Sequence, residues 1–489
     1  MIPSNFFKVE PWAHQLKAIE AAKDLEGYGF FFEVGAGKTM ACINTLRLKY
    51  LKHGRLLRTL VIGPPIILEN WRREFLMHSN LKPKDVVIVY GTAKKRLEIV
   101  EKHKDRDVVF ITNYESLTMG SKKDARKRRA PGPLLEAFKS WAPECLVFDE
   151  SHRCKEMRTA RTMAGVELAD LVYYKYLLTG TPILNTLMDV FAQFRILDNG
   201  RTFGKNFFSF RGRFFVDKNA GMNKQNYFPN WCPREGAADE IKMLLRRKSM
   251  FVEKIDCLDL PPLVKQTIQV PMGKDQEKAY VAMKNNFIAY IEDKAAIAEL
   301  AITKALRLQQ IVSGFVNVEE GAGERSAQRF KGNPRQAALK TLLEDITPAH
   351  KVLVWAVFKE NYNDIREVCE KLKLKYVEVH GGVTQKNKML AVDSFNDDPS
   401  ISVLIGHPGS GGIGINLVAA SHSIFYSRSF SLEYDIQAEA RNFRGGSERH
   451  AKVTRIDLVT PGTIDEQVQL ALASKKNIGY QVLKDFVKV

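Results

Sequence analysis

Residues 33–39 read EVGAGKT, directly after the apolar run Phe30–Phe32 and directly before MACINTLRLKYL. A glycine-rich turn between a strand and a helix can aim successive backbone N–H groups at a phosphate, and the helix dipole adds attraction at its amino end. Gly35, Ala36 and Gly37 are therefore the candidate phosphate cradle. Lys38 is the candidate counter-charge for the β and γ phosphates of a nucleotide, and Thr39 a hydroxyl ligand for Mg2+. The strict G-x-x-x-x-G-K-[ST] pattern asks for glycine where this chain has Phe32.

A second constellation lies about 110 residues downstream, where LVFDESHRCK (146–155) puts two adjacent carboxylates at the end of an apolar run. Charge is costly there unless it has a task. Asp149 can hold Mg2+ through water. Glu150 can orient and deprotonate the water that attacks a γ-phosphate.

These groups need a scaffold, and the chain is long enough to supply one. Its 489 residues are 45% hydrophobic, with 74 Lys and Arg against 56 Asp and Glu, a formal charge of +18. That excludes a disordered tail and a disulfide miniprotein, and the length suggests two to four compact units. The basic excess favours a polyanion, nucleic acid before anionic membrane. Six cysteines are scattered without the C-x2-C pairs of a structural zinc site, so reduced thiols and no structural zinc are expected. MIPSNFFKVEPW lacks the features of a signal peptide, and no run reaches about 18 apolar residues. A cytoplasmic protein that makes no membrane contact is expected.

Short apolar runs alternate with helical segments in the first part of the chain: GFFFEV, RTLVIGP, DVVIVYG, DVVFITN, ECLVFDE and YKYLLTGT. The rhythm returns in KVLVWAVF, KYVEVHG, ISVLIGH, HSIFYSR and AKVTRIDLV. Continuous apolar strands separated by crossovers read as parallel sheets buried on both faces. The fold class expected is α/β, with two parallel-sheet lobes at 1–184 and 334–489. Helical insertions and a linker fill 185–333, where the strand rhythm fades.

Together EVGAGKT and DESH resemble motifs I and II of the superfamily 2 helicases, and further segments resemble its Swi/Snf-type DNA translocases. PWAHQLKAIE (11–20) is similar to the adenine-reading segment, GPPIILENWRREF (63–75) to motif Ia and TNYESL (112–117) to the next nucleic-acid-contacting motif. LLTGTPILNTLMDVFAQFRIL (177–197) resembles motif III and LRRKSMFVEKIDCLDLPP (245–262) the helical-insertion boundary. SGGIGINLVAA (410–420) resembles motif V, and QAEARNFRGG (437–446) motif VI. The stretch Phe443, Arg444, Gly445, Gly446, Ser447 stands where eukaryotic members have His-Arg-x-Gly-Gln. GHPGSGGIGINL and SFSLEYDIQAEAR are closer to the prokaryotic and phage branch, which places the protein in a bacterial host cell if it is phage-encoded.

The resemblance implies two RecA-like lobes and a set of roles. Gln15 would read adenine, and Thr179 and Thr181 would couple nucleotide state to movement. Gln437, Arg441 and Arg444 would serve catalysis, the two arginines lying three apart on one helical face and acting as fingers on the γ-phosphate when the lobes close. Pro64, Asn113, Tyr114, Gly411 and Gly412, with Gly414, would contact nucleic acid. The basic run KKDARKRR, with Lys122, Lys123, Arg126, Lys127, Arg128 and Arg129, would bind phosphates without reading bases. Arg211, Arg213, Arg246, Arg247 and Lys248 could extend that track, as could the HGG of 380–382. Trp355 suits that track or the core equally. Phe207, Phe208, Phe210, Phe214 and Phe215 are expected as core rather than as stacking platforms.

The expected activity is DNA-stimulated hydrolysis of Mg-ATP that drives movement on duplex, forked or junction DNA, by a monomer that works beside other replication or recombination proteins. An RNA-dependent ATPase, and a duplex translocase that displaces proteins without unwinding, are the alternatives.

Overall fold

The computed structural model describes residues 2, 5–119, 132–221, 229–257, 259–292, 297–320, 324–409 and 415–483. The chain divides into two compact units, 1–258 with 476–489, and 259–475.

The first unit is built on strands β1 (Gly27–Phe32), β2 (Thr59–Gly63), β3 (Val86–Val89), β4 (Val109–Asn113), β5 (Cys145–Asp149) and β6 (Tyr174–Leu178). A short ribbon pairs β7 (Phe215–Asp217) with β8 (Trp231–Pro233) antiparallel, and β9 (Ser249–Val252) returns to the main sheet. The seven-stranded order is β3-β4-β2-β5-β6-β1-β9, and every pairing in it is parallel. Every residue of β1, β2, β4, β5 and β6 is buried, so the apolar runs read in the sequence are continuous because helices cover both faces. The edge strand β3 is buried only at its ends, Val86 and Val89.

In the second unit β10 (Leu263–Gln269), β13 (Lys351–Trp355), β14 (Lys375–Val379), β15 (Ile401–Gly406), β16 (Ala420–Phe425) and β17 (Val453–Val459) form a parallel sheet. Its order is β10-β17-β16-β13-β15-β14. A separate hairpin pairs β11 (Phe315–Glu320) with β12 (Glu324–Arg329). Two parallel-sheet α/β units are thus present. Among the described residues no helix is long and apolar enough to cross a membrane.

The segment 185–333 departs from the expectation of helices and loops. It supplies an edge strand to each sheet, β9 beside β1 and β10 beside β17, and the two units part at 258/259 instead of at 184 and 333. SMFV is too short to show a period, and LVKQTIQ carries four exposed polar residues, Lys265, Gln266, Thr267 and Gln269. Edge strands of this kind look like loop in a sequence.

Candidate nucleotide site

Three adjacent strands end on the same edge of the first sheet. β1 runs into EVGAGKT, β5 ends at Asp149 and β6 runs into Thr179–Thr181. Because β5, β6 and β1 are parallel neighbours, segments up to 148 residues apart in sequence meet outside the carboxyl ends of the strands. Open α/β sheets bind ligands at that edge.

The loop after β1 turns through Gly35 at φ 96° and Gly37 at φ 73°. Lys38 then opens the helix Lys38–His53. Gln15 lies against this loop instead of standing apart from it. Its Nε2 donates to the Gly37 carbonyl at 3.3 Å, and its Oε1 accepts from the Trp12 N–H at 2.8 Å. The segment expected to read a base therefore also braces the phosphate loop. His14 joins it, with its ring Nε2 2.8 Å from the Ala36 oxygen.

A Cβ built on Gly37 would meet Gln15 Nε2 at 2.0 Å, and the left-handed backbone there costs an L-residue roughly 1–2 kcal/mol. Gly37→Ala is expected to weaken nucleotide binding about tenfold or more, measured by anisotropy of a fluorescent ATP analogue. Pairing it with Gln15→Ala should recover part of the loss, because the clash partner is gone.

Asp149 is 5% exposed and held at both oxygens: Trp71 Nε1 donates to Oδ2 at 2.7 Å and the Glu150 N–H to Oδ1 at 2.9 Å. Burial pushes its carboxyl up to about 6, while the Lys38 ammonium pulls the other way. Glu150 sits at φ 54°, a conformation a non-glycine residue seldom adopts, and this turns its carboxylate toward Lys38. Lys38 Nζ is 3.8 Å from Glu150 Oε1. That is an ion pair too long for a hydrogen bond, so the ammonium keeps its donors for a phosphate. Glu150 Oε2 is 3.5 Å from His152 Nδ1.

The same His152 nitrogen lies 2.8 Å from Thr179 Oγ1, which accepts from the Thr181 N–H at 3.0 Å. A continuous polar chain therefore runs from Lys38 through Glu150 and His152 to Thr179 and Thr181. Gly180 lets this strand end approach the loop: a Cβ there would lie 3.2 Å from both the Glu33 Cα and the Phe32 oxygen.

Two of the expected nucleic-acid contacts are internal. Tyr114 is 1% exposed and its hydroxyl donates to the Asp149 carbonyl at 2.8 Å. Asn113 is buried, its Oδ1 accepting from Arg96 at 2.6 Å and from Ser116 at 2.8 Å. They hold the Asp149 turn and the end of β4. The cause is position at a strand end, where one face is covered by helices. Pro64 is also buried, at the start of the single helical turn Pro65–Ile67. The basic run with Lys122, Lys123 and Arg126 to Arg129 lies outside the described residues, as do Gly411, Gly412 and Gly414.

In the second unit the helix Leu432–Glu439 stops before the arginines, so Arg441 and Arg444 do not share a helical face as expected. They converge through a carbonyl instead: both guanidinium groups donate to the Ile415 oxygen, at 3.1 and 3.3 Å. Arg441 is buried and donates from Nε to the Gln437 carbonyl. Gln437 Nε2 donates to Glu433 at 3.2 Å. This helix is anchored by Asp435, which accepts from Arg428 at 2.9 Å and from Arg455 at 2.8 Å. Trp355 is fully buried in the apolar core. His380 stacks on Tyr362 at 4.4 Å.

Trp71, Arg96, His152 and Asp435 were not assigned these roles by sequence. Trp71 offers a signal in retrospect, an indole one turn into the helix that follows β2. Arg96 and Asp435 sit in charge-rich helices and give none.

The residues present fit a magnesium nucleotide: a glycine loop at positive φ in which a Cβ on Gly37 would meet Gln15 Nε2, a lysine 3.8 Å from its carboxylate neighbour, a threonine beside it and a buried carboxylate at the end of β5 on the same sheet edge. Thr39 and Asp149 would hold the metal, which would supply charge neutralisation at the phosphates.

The model of the SNF2-related domain matches residues 23–315, and that of the helicase conserved C-terminal domain matches 335–446. The chain is 27% identical to Chromodomain-helicase-DNA-binding protein 7 of Gallus gallus over 87% of its own length and 14% of that protein's. It is 25% identical to DNA repair and recombination protein RDH54 of Saccharomyces cerevisiae over 88% of its length and 46% of the relative's. An uncharacterized ATP-dependent helicase of Mycoplasma pneumoniae is 26% identical over 93% of the chain and 40% of that protein. The chain thus spans less than half the length of each of these relatives. Among solved structures the Sulfolobus solfataricus SWI2/SNF2 ATPase core in complex with dsDNA is similar at 22% identity and a TM-score of 0.43, covering 100% of this chain and 95% of that one.

Proposed function

The chain belongs to the SNF2-related, helicase-like ATPase family, and on that premise we propose that it hydrolyses Mg-ATP to drive movement along DNA, remodelling forked or junction DNA. One observation supports the ATPase reading above the others. β1, β5 and β6 bring GAGKT, the Asp149–Glu150 pair and Thr179–Thr181 to one sheet edge, with Lys38 Nζ 3.8 Å from Glu150. In this reading the loop N–H groups and Lys38 hold the phosphates, Glu150 orients and deprotonates the attacking water, and Arg441 and Arg444 stabilise charge on the transferred group.

Support for DNA as the track comes from the +18 net charge and from the family. The Phe443–Ser447 stretch favours a prokaryotic or phage source. The polar chain through His152 is the coupling element: it sets Glu150 3.5 Å from the imidazole that contacts Thr179, which in turn accepts from the Thr181 N–H, so that both ends can answer to nucleotide state.

ATP turnover measured with single-stranded, blunt duplex, forked and four-way DNA, and with RNA, tests the substrate. Stimulation by forked or four-way DNA above blunt duplex supports the reading, and stimulation by RNA above every DNA overturns it. A strand-displacement assay on forks beside triplex displacement on blunt duplex separates unwinding from movement that only clears bound proteins.

A further inference from the structure

One expected core aromatic is not in the core. Phe210, Phe214 and Phe215 are buried and Phe207 packs against Phe191 at 5.4 Å, whereas Phe208 is 57% exposed. An exposed phenylalanine alone needs no explanation. What distinguishes this one is its company.

The helix Phe207–Phe214 is capped by Asn206 and places Arg211 three residues after Phe208, on the same face. The Arg211 guanidinium lies 4.0 Å from the ring centre of Trp231, on the neighbouring β7–β8 ribbon, and 5.3 Å from that of Phe208. The ribbon is pinned at this point by Asp217, whose Oδ1 accepts from the Asn219 and Asn230 N–H groups at 3.0 and 2.7 Å. Two rings and a planar cation are thus assembled from two elements, with Phe208 exposed and Arg211 and Trp231 half-buried beside it.

The charged residues in the sequence of the two elements are mostly basic. Across 201–221 and 229–234 there are six basic residues, Arg201, Lys205, Arg211, Arg213, Lys218 and Arg234, against the single acid Asp217, which is buried. Arg201 and Arg213 are paired with Glu26 and Glu240. Lys205 and Lys218 are exposed.

We propose that Phe208, Arg211 and Trp231 form a stacking platform for unpaired bases of a DNA strand, with Lys205 and Lys218 meeting its phosphates. Every base has a π-face that an aromatic ring or a guanidinium plane can cover, so such a platform binds without reading sequence. Flanking lysines add salt-dependent affinity. An apolar protein partner would not need the surrounding excess of positive charge. The proposal rests on the reading of this chain as a DNA-acting ATPase, and it deepens it: the platform would select substrates that contain single-stranded DNA.

The test uses the full chain and three probes: a fluorescein-labelled oligothymidine, an abasic strand of the same length, and a blunt duplex. Phe208→Ala is expected to weaken oligothymidine binding about tenfold while abasic and duplex affinities and DNA-free ATP turnover stay within about twofold. Oligothymidine should also quench a tryptophan signal that is lost in Trp231→Phe, and the abasic strand should not. Equal losses on all three probes would reduce the cluster to general phosphate binding and overturn the proposal. So would unchanged oligothymidine binding, which would point to a protein-facing surface, or a quench that persists in Trp231→Phe. Wild-type ATP turnover that no nucleic acid stimulates would instead overturn the reading of the whole chain, and the oligothymidine titration would still decide the platform.

Discussion

Glu150→Gln is expected to slow ATP turnover about a hundred- to ten-thousand-fold, with nucleotide affinity within a few-fold of wild type. The substitution keeps the size and shape of the side chain and removes its capacity to take a proton. The local frame survives, because it does not depend on the Glu150 carboxylate. Asp149 is held by Trp71 and by the Glu150 backbone N–H, and the turn is held by Tyr114. Lys38 stays free to bind phosphate, since its 3.8 Å pair with Glu150 is not a hydrogen bond. Single-turnover hydrolysis beside an equilibrium nucleotide titration measures both quantities. Turnover near the wild-type rate would remove Glu150 from the role of base, and a parallel loss of affinity would make it a binding residue.

Lys38→Ala is expected to be as damaging to activity, about a hundred- to a thousand-fold, and to add a stability defect that Glu150→Gln lacks. The ammonium is the charge that pulls the Asp149 carboxyl down against burial. Removing it leaves two carboxylates, 5% and 8% exposed, with that cation gone. The sign follows from linkage. Asp149 already titrates higher in the folded protein than the ordinary carboxylate value of 3.8, so it costs stability as pH rises from that value through about 6. Without Lys38 its folded value moves higher still, so the cost grows and its window extends upward. The melting midpoint of Lys38→Ala should therefore fall below wild type at neutral and mildly alkaline pH, and the gap should close near pH 4, where the carboxyl is protonated in the folded variant and half-protonated in the unfolded chain. Thermal melts of both proteins across that range give the answer. A gap that widened on acidification would show that Lys38 stabilises the fold by some route other than these carboxylates. Lys38→Arg should restore the midpoint more fully than the turnover, because a guanidinium supplies charge but not the compact reach of an ammonium.

These outcomes bear on why the site is expensive to keep. A buried, protonation-prone aspartate and a glutamate in left-handed backbone each work against stability, and Lys38 offsets only part of the cost. Together they form a place already shaped for a charged ligand.

The sequence by itself determined the α/β class, the strands of both sheets other than β9 and β10, and the identity of the GAGKT and Asp149–Glu150 segments. Those signals are local: apolar runs of strand length, a glycine turn before a helix, and charge at the end of a buried strand. Only the tertiary structure decided which segments meet. The order β5-β6-β1 is a matter of crossovers, and no period or composition encodes it, yet it alone puts Lys38 beside Glu150 and Thr179 beside His152. It decided too that Asn113 and Tyr114 face inward while Phe208 faces solvent, because burial depends on what packs over a residue and not on the residue's own chemistry. The strands β9 and β10 escaped notice for a local reason: SMFV is only four residues long, and LVKQTIQ exposes its four polar side chains to solvent, so neither carries the apolar run that announces a strand.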